Sequence, residues 1–265
     1  MEAPAAETEI VVVSQKQKAD AFHIGLSWTE GIGKYKLSKV VTLAPRFLIV
    51  NQLPATITFR EHGVSPPERT LIEPEQRAPL LVLRSNDEKL LTIAYPGLNA
   101  QWQVSHTVVI IASECSFSTR SPPINIEDIG PVHFILRHQG SKKDPELVKA
   151  DVQIDGSTIF ITYGLAADGW PFMIENLSDF PLTLCQQDAR RDPASQDRPR
   201  MYTLEPHTSR PYAWDYPAAR DKKIQLIIGS SRRVVDIMEI GDLMPFKFIV
   251  CCLQSLLLKP SQCVG

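Results

Sequence analysis

The sequence predicts an all-β fold: two tandem, antiparallel β-sandwich-like repeat modules. A repeated strand–turn–strand signature, short strand-like runs at close intervals and an abundance of turn residues carry that expectation. The signature is Phe47-Leu48-Ile49-Val50-Asn51, followed by the alternating run Ala55-Thr56-Ile57-Thr58-Phe59. It returns as Phe172-Met173-Ile174-Glu175-Asn176 followed by Phe180-Pro181-Leu182-Thr183-Leu184, with Asn51 and Asn176 standing 125 residues apart. Downstream, Ile72-Glu73-Pro74 and Pro79 answer to Leu204-Glu205-Pro206 and Pro211, and Asp87-Glu88-Lys89-Leu90 answers to Asp221-Lys222-Lys223-Ile224. Self-similarity of this kind marks one structural unit used twice. Strand-like runs recur at about 8–12 residues, which favours a sandwich or barrel over βαβ units. Proline is excluded from central strands and helix interiors, so 21 prolines against 13 glycines imply many turns and edges.

Taken in order, residues 1–20 read as a disordered or loosely attached tail, with Ile10-Val11-Val12-Val13 able to join a sheet edge. His23 to Trp28 alternates, Gly31 and Gly33 bracket a turn, and Lys34 to Leu43 continues as a strand. Pro45 separates it from the first signature strand, and Leu53-Pro54 turns the chain into Thr56 to Arg60. Strands are expected at 70–72, 80–84, 90–95 and 103–112, with a linker from Ser116 to Pro131. They resume at 132–137, 147–154 and 158–163, with Asp155-Gly156 as a hairpin turn. After the second signature strand a polar loop runs from Asp188 to Arg200, followed by strands at 201–204, 212–214, 223–228 and 233–240. The expected layout is a tail at 1–20, modules at 21–128 and 129–248, and a further tail at 249–265. No window carries a convincing helical period.

Composition narrows the function. Hydrophobic residues make up 43% of the 265 and charged residues 22%, enough for a real core. A net charge of −2 offers no global field for nucleic acid or acidic membrane. The five cysteines lack CxxC spacing and no signal peptide precedes them, as expected of a reduced, cytoplasmic chain. No apolar run reaches the ~18 residues of a membrane span.

Nothing in the sequence marks a catalytic centre, so the chain reads as non-enzymatic. The six histidines are scattered and none form a metal-binding pair, so no metal and no cofactor are expected. Gly31-Ile32-Gly33-Lys34 lacks the spacing of a phosphate loop and is read as a turn. Asn51 and Asn176 stand where an apolar strand ends and a turn begins. There an asparagine amide can bond the next turn and tie neighbouring strands, so their reading is mainly structural. The cluster Pro211-Tyr212-Ala213-Trp214-Asp215-Tyr216-Pro217 is the candidate recognition surface, because Tyr and Trp are enriched at binding hot spots. Spacing of i, i+2 equally permits Tyr212 and Trp214 to face a core. Lys222-Lys223 and Arg232-Arg233 read as solvated strand ends, with lipid binding the rival role.

These residues carry a family resemblance. The run Gly33-Lys34-Tyr35-Lys36-Leu37-Ser38-Lys39-Val40-Val41-Thr42-Leu43-Ala44-Pro45-Arg46-Phe47, continuing through Asn51, resembles the adaptor-binding (SHR-binding) region of the vacuolar protein sorting-associated protein 13 family. Asn51 and Asn176 fall on the asparagine that marks each repeat there. Leu204-Glu205-Pro206, Tyr212-Ala213-Trp214-Asp215 and Asp236-Ile237-Met238-Glu239-Ile240-Gly241 resemble its last two β repeats. The similarity runs over residues 22–248; beyond Phe248 the pattern stops, as a truncated or alternatively spliced reading frame would explain.

The resemblance implies a protein-interaction module that recruits a bridge-like lipid-transfer protein to endosomal, vacuolar or mitochondrial contact sites. The implied partners are membrane adaptors carrying a Pro-x-Pro motif, bound by strand addition, with Tyr212, Trp214 and Asp215 as the expected peptide-binding residues. The chain is expected to be a monomer, peripheral, with at most weak membrane contact and no nucleic-acid partner. A phosphoinositide-binding module and a structural spacer are the alternatives.

Overall fold

The computed structural model describes residues 8–13, 21–63, 70–84, 88–96, 121–136, 146–187, 200–241 and 244–245, and their regular secondary structure is β apart from one 3-10 turn. Strands β1 (Thr8–Val13), β2 (Ala21–Glu30) and β3 (Lys39–Pro45) form an antiparallel meander, with a 3-10 turn at Gly33–Tyr35 between the last two. The valine run thus lies at a sheet edge as β1. Next come β4 (Phe47–Asn51), β5 (Ile57–Glu61), β6 (Thr70–Ile72), β7 (Arg77–Leu80), β8 (Val82–Leu83), β9 (Leu90–Ala94) and β10 (Ile124–Asn125). A second meander follows: β11 (Gly130–Leu136), β12 (Glu146–Asp155) and β13 (Thr158–Leu165). The chain continues as β14 (Phe172–Asn176), β15 (Leu182–Gln186), β16 (Tyr202–Leu204), β17 (Thr208–Tyr212), β18 (Ile224–Ile228) and β19 (Ser231–Val235).

Two sheets repeat one topology. The order β10-β9-β5-β6 in the first copy matches β19-β18-β15-β16 in the second. Register matches as well: Ile57 faces Ile72 where Leu182 faces Leu204, and Thr58 faces Leu71 where Thr183 faces Thr203. Alternation explains both, since a slip of one residue would turn every apolar side chain to water.

The chain divides into two compact units. One holds residues through Phe172 together with Ala213–Ala219; the other holds Met173–Tyr212 and the chain from Arg220 onward. In the first unit, β4 is an internal strand of a five-stranded sheet, β11-β12-β13-β4-β7, next to its edge strand β7. Its β13–β4 pairing is parallel, Ile159 opposite Phe47 through Tyr163 opposite Asn51, whereas antiparallel pairing was expected throughout. This explains the unbroken apolar run of β4, because a strand covered on both faces needs no polar alternation. Phe47, Ile49, Leu53, Ile57, Phe59, Ile93, Phe134, Ile161 and Tyr163 join one buried core. The two compact units divide at Phe172/Met173, and the pairing of β13 with β4 spans the expected module boundary at 128/129.

Several elements differ from expectation. The single strand expected at 80–84 is split, since Leu80 pairs with Phe47 while Val82 and Leu83 turn to Phe22 and Ala21. Within the expected linker, Ile124 and Ile126 are buried and Ile124–Asn125 pairs with β9. Flanking prolines do not prevent a two-residue edge strand. The strand expected at 212–214 is instead β17, ending at Tyr212. That expected at 233–240 ends at Val235, where the Asp236 carboxylate accepts a bond from Met238 N (2.9 Å) and turns the chain. The strand expected at 103–112 and the loop at 188–199 lie outside the described residues.

Close approach requires glycine where β2 meets the Gly156-Ser157 turn. A Cβ at Gly25 would lie 2.3 Å from the Ser157 carbonyl oxygen. Arg46 Nη1 donates to that same carbonyl (2.9 Å), Ile159 N donates to Arg46 O (2.7 Å), and Thr158 Oγ1 donates to Pro45 O (3.0 Å).

Candidate functional site

Each signature strand ends in a turn closed by one buried asparagine amide. Asn51 Nδ2 donates to Ala55 O (3.0 Å) and Ile72 O (3.0 Å), while its Oδ1 accepts from Leu53 N (3.0 Å). Asn176 Nδ2 donates to Phe180 O (2.8 Å), Leu204 O (3.2 Å) and Glu205 O (3.1 Å); its Oδ1 accepts from Ser178 N (3.2 Å) and Ser178 Oγ (2.7 Å). Ala55, Leu53 and Ile72 correspond in the repeat to Phe180, Ser178 and Leu204. The amide therefore couples the turn it starts to the strand that folds back over it. Buried at 0% and 4% exposure, the two side chains present no free face to a ligand.

The returning strand enters through a second shared feature. Glu75 and His207 hold φ of 62° and 57°, one residue after Pro74 and Pro206. In the first copy, Gln76 N donates to Glu73 O (3.1 Å), and the proline at the second turn position pre-sets the bend. Glu75 N then donates to Asn51 O (2.7 Å), tying the turn to the signature strand. Glu73-Pro74 and Glu205-Pro206 were legible as repeated letters; the left-handed residue after each was not.

The copies part at the strand edge. Strand β4 has β13 on one side and β7 on the other, whereas β14 pairs with β17 alone among the described residues. Met173, Leu177 and Phe180, on and just after β14, are exposed large apolar residues. Their counterparts are the half-buried Leu48, the exposed Gln52 and the half-buried Ala55. Sequence reasoning passed over these three; exchange of Gln52 for Leu177 at a solvent position was the available signal.

The proposed recognition residues lie deeper than a surface reading implies. Tyr212 and Trp214 are buried and Asp215 is half-buried. In the first unit the Trp214 ring meets Phe172 edge-on with centroids 5.6 Å apart; in the second, Tyr212 meets Tyr202 edge-on at 5.9 Å. Such contacts hold large rings at fixed angles. Among the basic residues, Lys223 Nζ pairs with Asp221 (3.1 Å), and Arg233 Nη1 donates to the Met244 carbonyl. Among the described residues there is no group of three or more potential metal ligands, and no helix is long and apolar enough to cross a membrane.

Comparison with known proteins places this arrangement. The family model described as the vacuolar-sorting associated protein 13 adaptor binding domain matches residues 2–221. The chain is 34% identical over 248 residues to the intermembrane lipid transfer protein VPS13 of Chaetomium thermophilum, covering 91% of this chain and 7% of that protein. To the intermembrane lipid transfer protein vps13B of Dictyostelium discoideum it is 23% identical over 199 residues, covering 72% of this chain and 3% of the relative. The vps13E protein of the same organism is 21% identical over 222 residues, 79% of this chain and 5% of the relative. Both asparagine turns fall inside the matched stretch, and the chain belongs to the adaptor-binding domain family of vacuolar-sorting associated protein 13.

Proposed function

We propose that this chain is a non-enzymatic recognition module that holds adaptor peptides bearing a Pro-x-Pro motif and so recruits a lipid-transfer protein to organelle membranes. The observation that carries the reading is the edge of β14, which has a strand beside it in the first copy and none in the second among the described residues. A peptide strand lying there takes the place that β13 takes beside β4, and so runs parallel to Phe172–Asn176. Pro-x-Pro suits an outermost strand. Backbone N–H groups of residues i and i+2 point to the same side, so both prolines surrender only outward donors while the residue between them keeps its inward one. The prolines then cap the sheet against further pairing.

Met173, Leu177 and Phe180 are the exposed apolar groups available to such a peptide. Tyr212, Trp214 and Asp215 act as supports of the recognition segment, the Tyr212 ring packed edge-on against Tyr202 and the Trp214 ring against Phe172. Asn51 and Asn176 act as fasteners for the two turns. The bound chain is a monomer, cytoplasmic and peripheral, at endosomal, vacuolar or mitochondrial contact sites.

Titration of the purified chain with a fluorescent Pro-x-Pro adaptor peptide tests this reading. Saturable binding is expected, with at least a tenfold loss for Met173→Glu, about 1.4 kcal/mol or more. Absence of binding to the folded chain sinks the proposal, and flotation with phosphoinositide liposomes then tests the lipid alternative.

A further inference from the structure

Each meander leads into a signature strand: β1–β3 into β4, and β11–β13 into β14. In the second meander the last strand, β13, is internal. It lies parallel beside β4, with Ile159, Ile161 and Tyr163 at 3%, 0% and 1% exposure. In the first meander the corresponding strand, β3, pairs only with β2 among the described residues, and Val41 and Leu43 are 60% and 66% exposed. Along β3 the first five residues are exposed throughout. At the other end of the repeat, β14 corresponds to β4 yet pairs only with β17 among the described residues, and Met173 is 60% exposed.

Among the described residues, the joint that β13 and β4 make inside one chain therefore recurs as two unfilled halves, a donor strand at β3 and a receiving edge at β14. We propose that a second copy of this chain fills them, β3 of one copy adding in parallel beside β14 of the next. The filled joint inside the chain is the template for direction and for the kind of strand received. The contact joins two different surfaces, so it is head-to-tail and does not close on itself. Association is then concentration-dependent and extends beyond a dimer.

The proposal also links assembly to recognition, in a part that rests on the adaptor reading. A peptide strand on β14 occupies the edge that β3 of another copy needs, so adaptor binding and self-association exclude each other.

Sedimentation velocity across a wide range of concentrations tests self-association on the full chain. Wild type is expected to shift to larger species as concentration rises. Val41→Glu spoils the donor strand and Met173→Glu the receiving edge, both at exposed positions. Each variant alone should lose the shift. Mixed together they should form a dimer that grows no further, because one intact donor and one intact edge remain. Recovery in the mixture also shows that both variants fold.

Wild type that stays monomeric throughout, or a mixture that stays monomeric, overturns the proposal. If wild type is monomeric but associates once residues 246–265 are removed, the chain's own end holds the edge and the proposal is likewise overturned. Adding saturating Pro-x-Pro peptide should abolish the shift. Association with no peptide binding defeats the adaptor reading alone, whereas peptide binding to a chain that never associates defeats this inference alone.

Discussion

Strands β4 and β14 begin and end alike and live in different surroundings. Strand β4 lies between two partners, and Phe47, Ile49, Val50 and Asn51 are buried; in β14 only Asn176 is fully buried. Yet both asparagines share three bonds to the same positions of the repeat, to which Asn176 adds Glu205 O and Ser178 Oγ. The turn is therefore held by its own amide and by the strand that returns over it, and does not need a completed sheet. A turn built this way keeps its bonds whether or not the signature strand has a second partner among the described residues.

Substitutions can break or sharpen this comparison, and the largest effect belongs to the sheet. Phe47→Ala should cost about 3–5 kcal/mol, the usual range for a fully buried ring. Phe172→Ala, half-buried against Trp214, should cost about 1–2 kcal/mol. Urea denaturation of both variants checks this, and equal losses would mean that β14 is as well covered as β4.

The asparagines should differ much less. Asn51→Ala leaves the Ala55 and Ile72 carbonyls and the Leu53 N–H without their partner, at about 3 kcal/mol, since each unpaired buried group costs about 1–3 kcal/mol. Asn176→Ala should fall within about 1 kcal/mol of that value, its Phe180 acceptor being less buried. A near-neutral Asn176→Ala in the same denaturation series would end the claim that the second turn is self-sufficient.

A smaller and opposite effect is expected where the backbone is left-handed. Glu75→Gly should stabilise by up to about 1 kcal/mol, the relief of a non-glycine residue at positive φ less the added chain entropy. His207→Gly should gain less, because it also removes the exposed contact of His207 Nε2 with Asp179 at 3.0 Å. Thermal melts of the two variants rank them.

The smallest effect concerns His133 on β11. Burial, then the neighbouring Lys149 charge, hold its pKa below the ordinary 6.5, with Asp168 opposing. The folded state then binds fewer protons than the unfolded one. Its neutral form contributes fully above pH 6.5, and stability declines as pH falls through 6.5 toward the lowered value. Lys149→Gln should raise the His133 pKa toward 6.5 and flatten that decline. Titration of the His133 ring protons by NMR reads it directly.

Much of the local plan was readable from the letters. The turn after each signature strand depends on bonds spanning two to four residues, so Asn51 and Asn176 with their following residues were enough to find it. Strand type followed from alternation and from proline spacing. The aromatic cluster was only half readable, since i, i+2 spacing places Tyr212 and Trp214 on one face without saying which face meets water. Burial of both rings depended on Tyr202 and Phe172, which lie far from them in sequence.

By itself the sequence determined that the chain is β throughout, that one unit occurs twice, and that each copy turns at an asparagine. These are local properties, carried by alternation and short-range hydrogen bonds. Only the tertiary structure decided that β13 crosses to pair in parallel with β4, joining residues more than a hundred positions apart. Periodicity says that a strand has a buried face but not which distant strand lies beside it. For that reason the different pairing of β4 and β14 among the described residues became visible only in three dimensions.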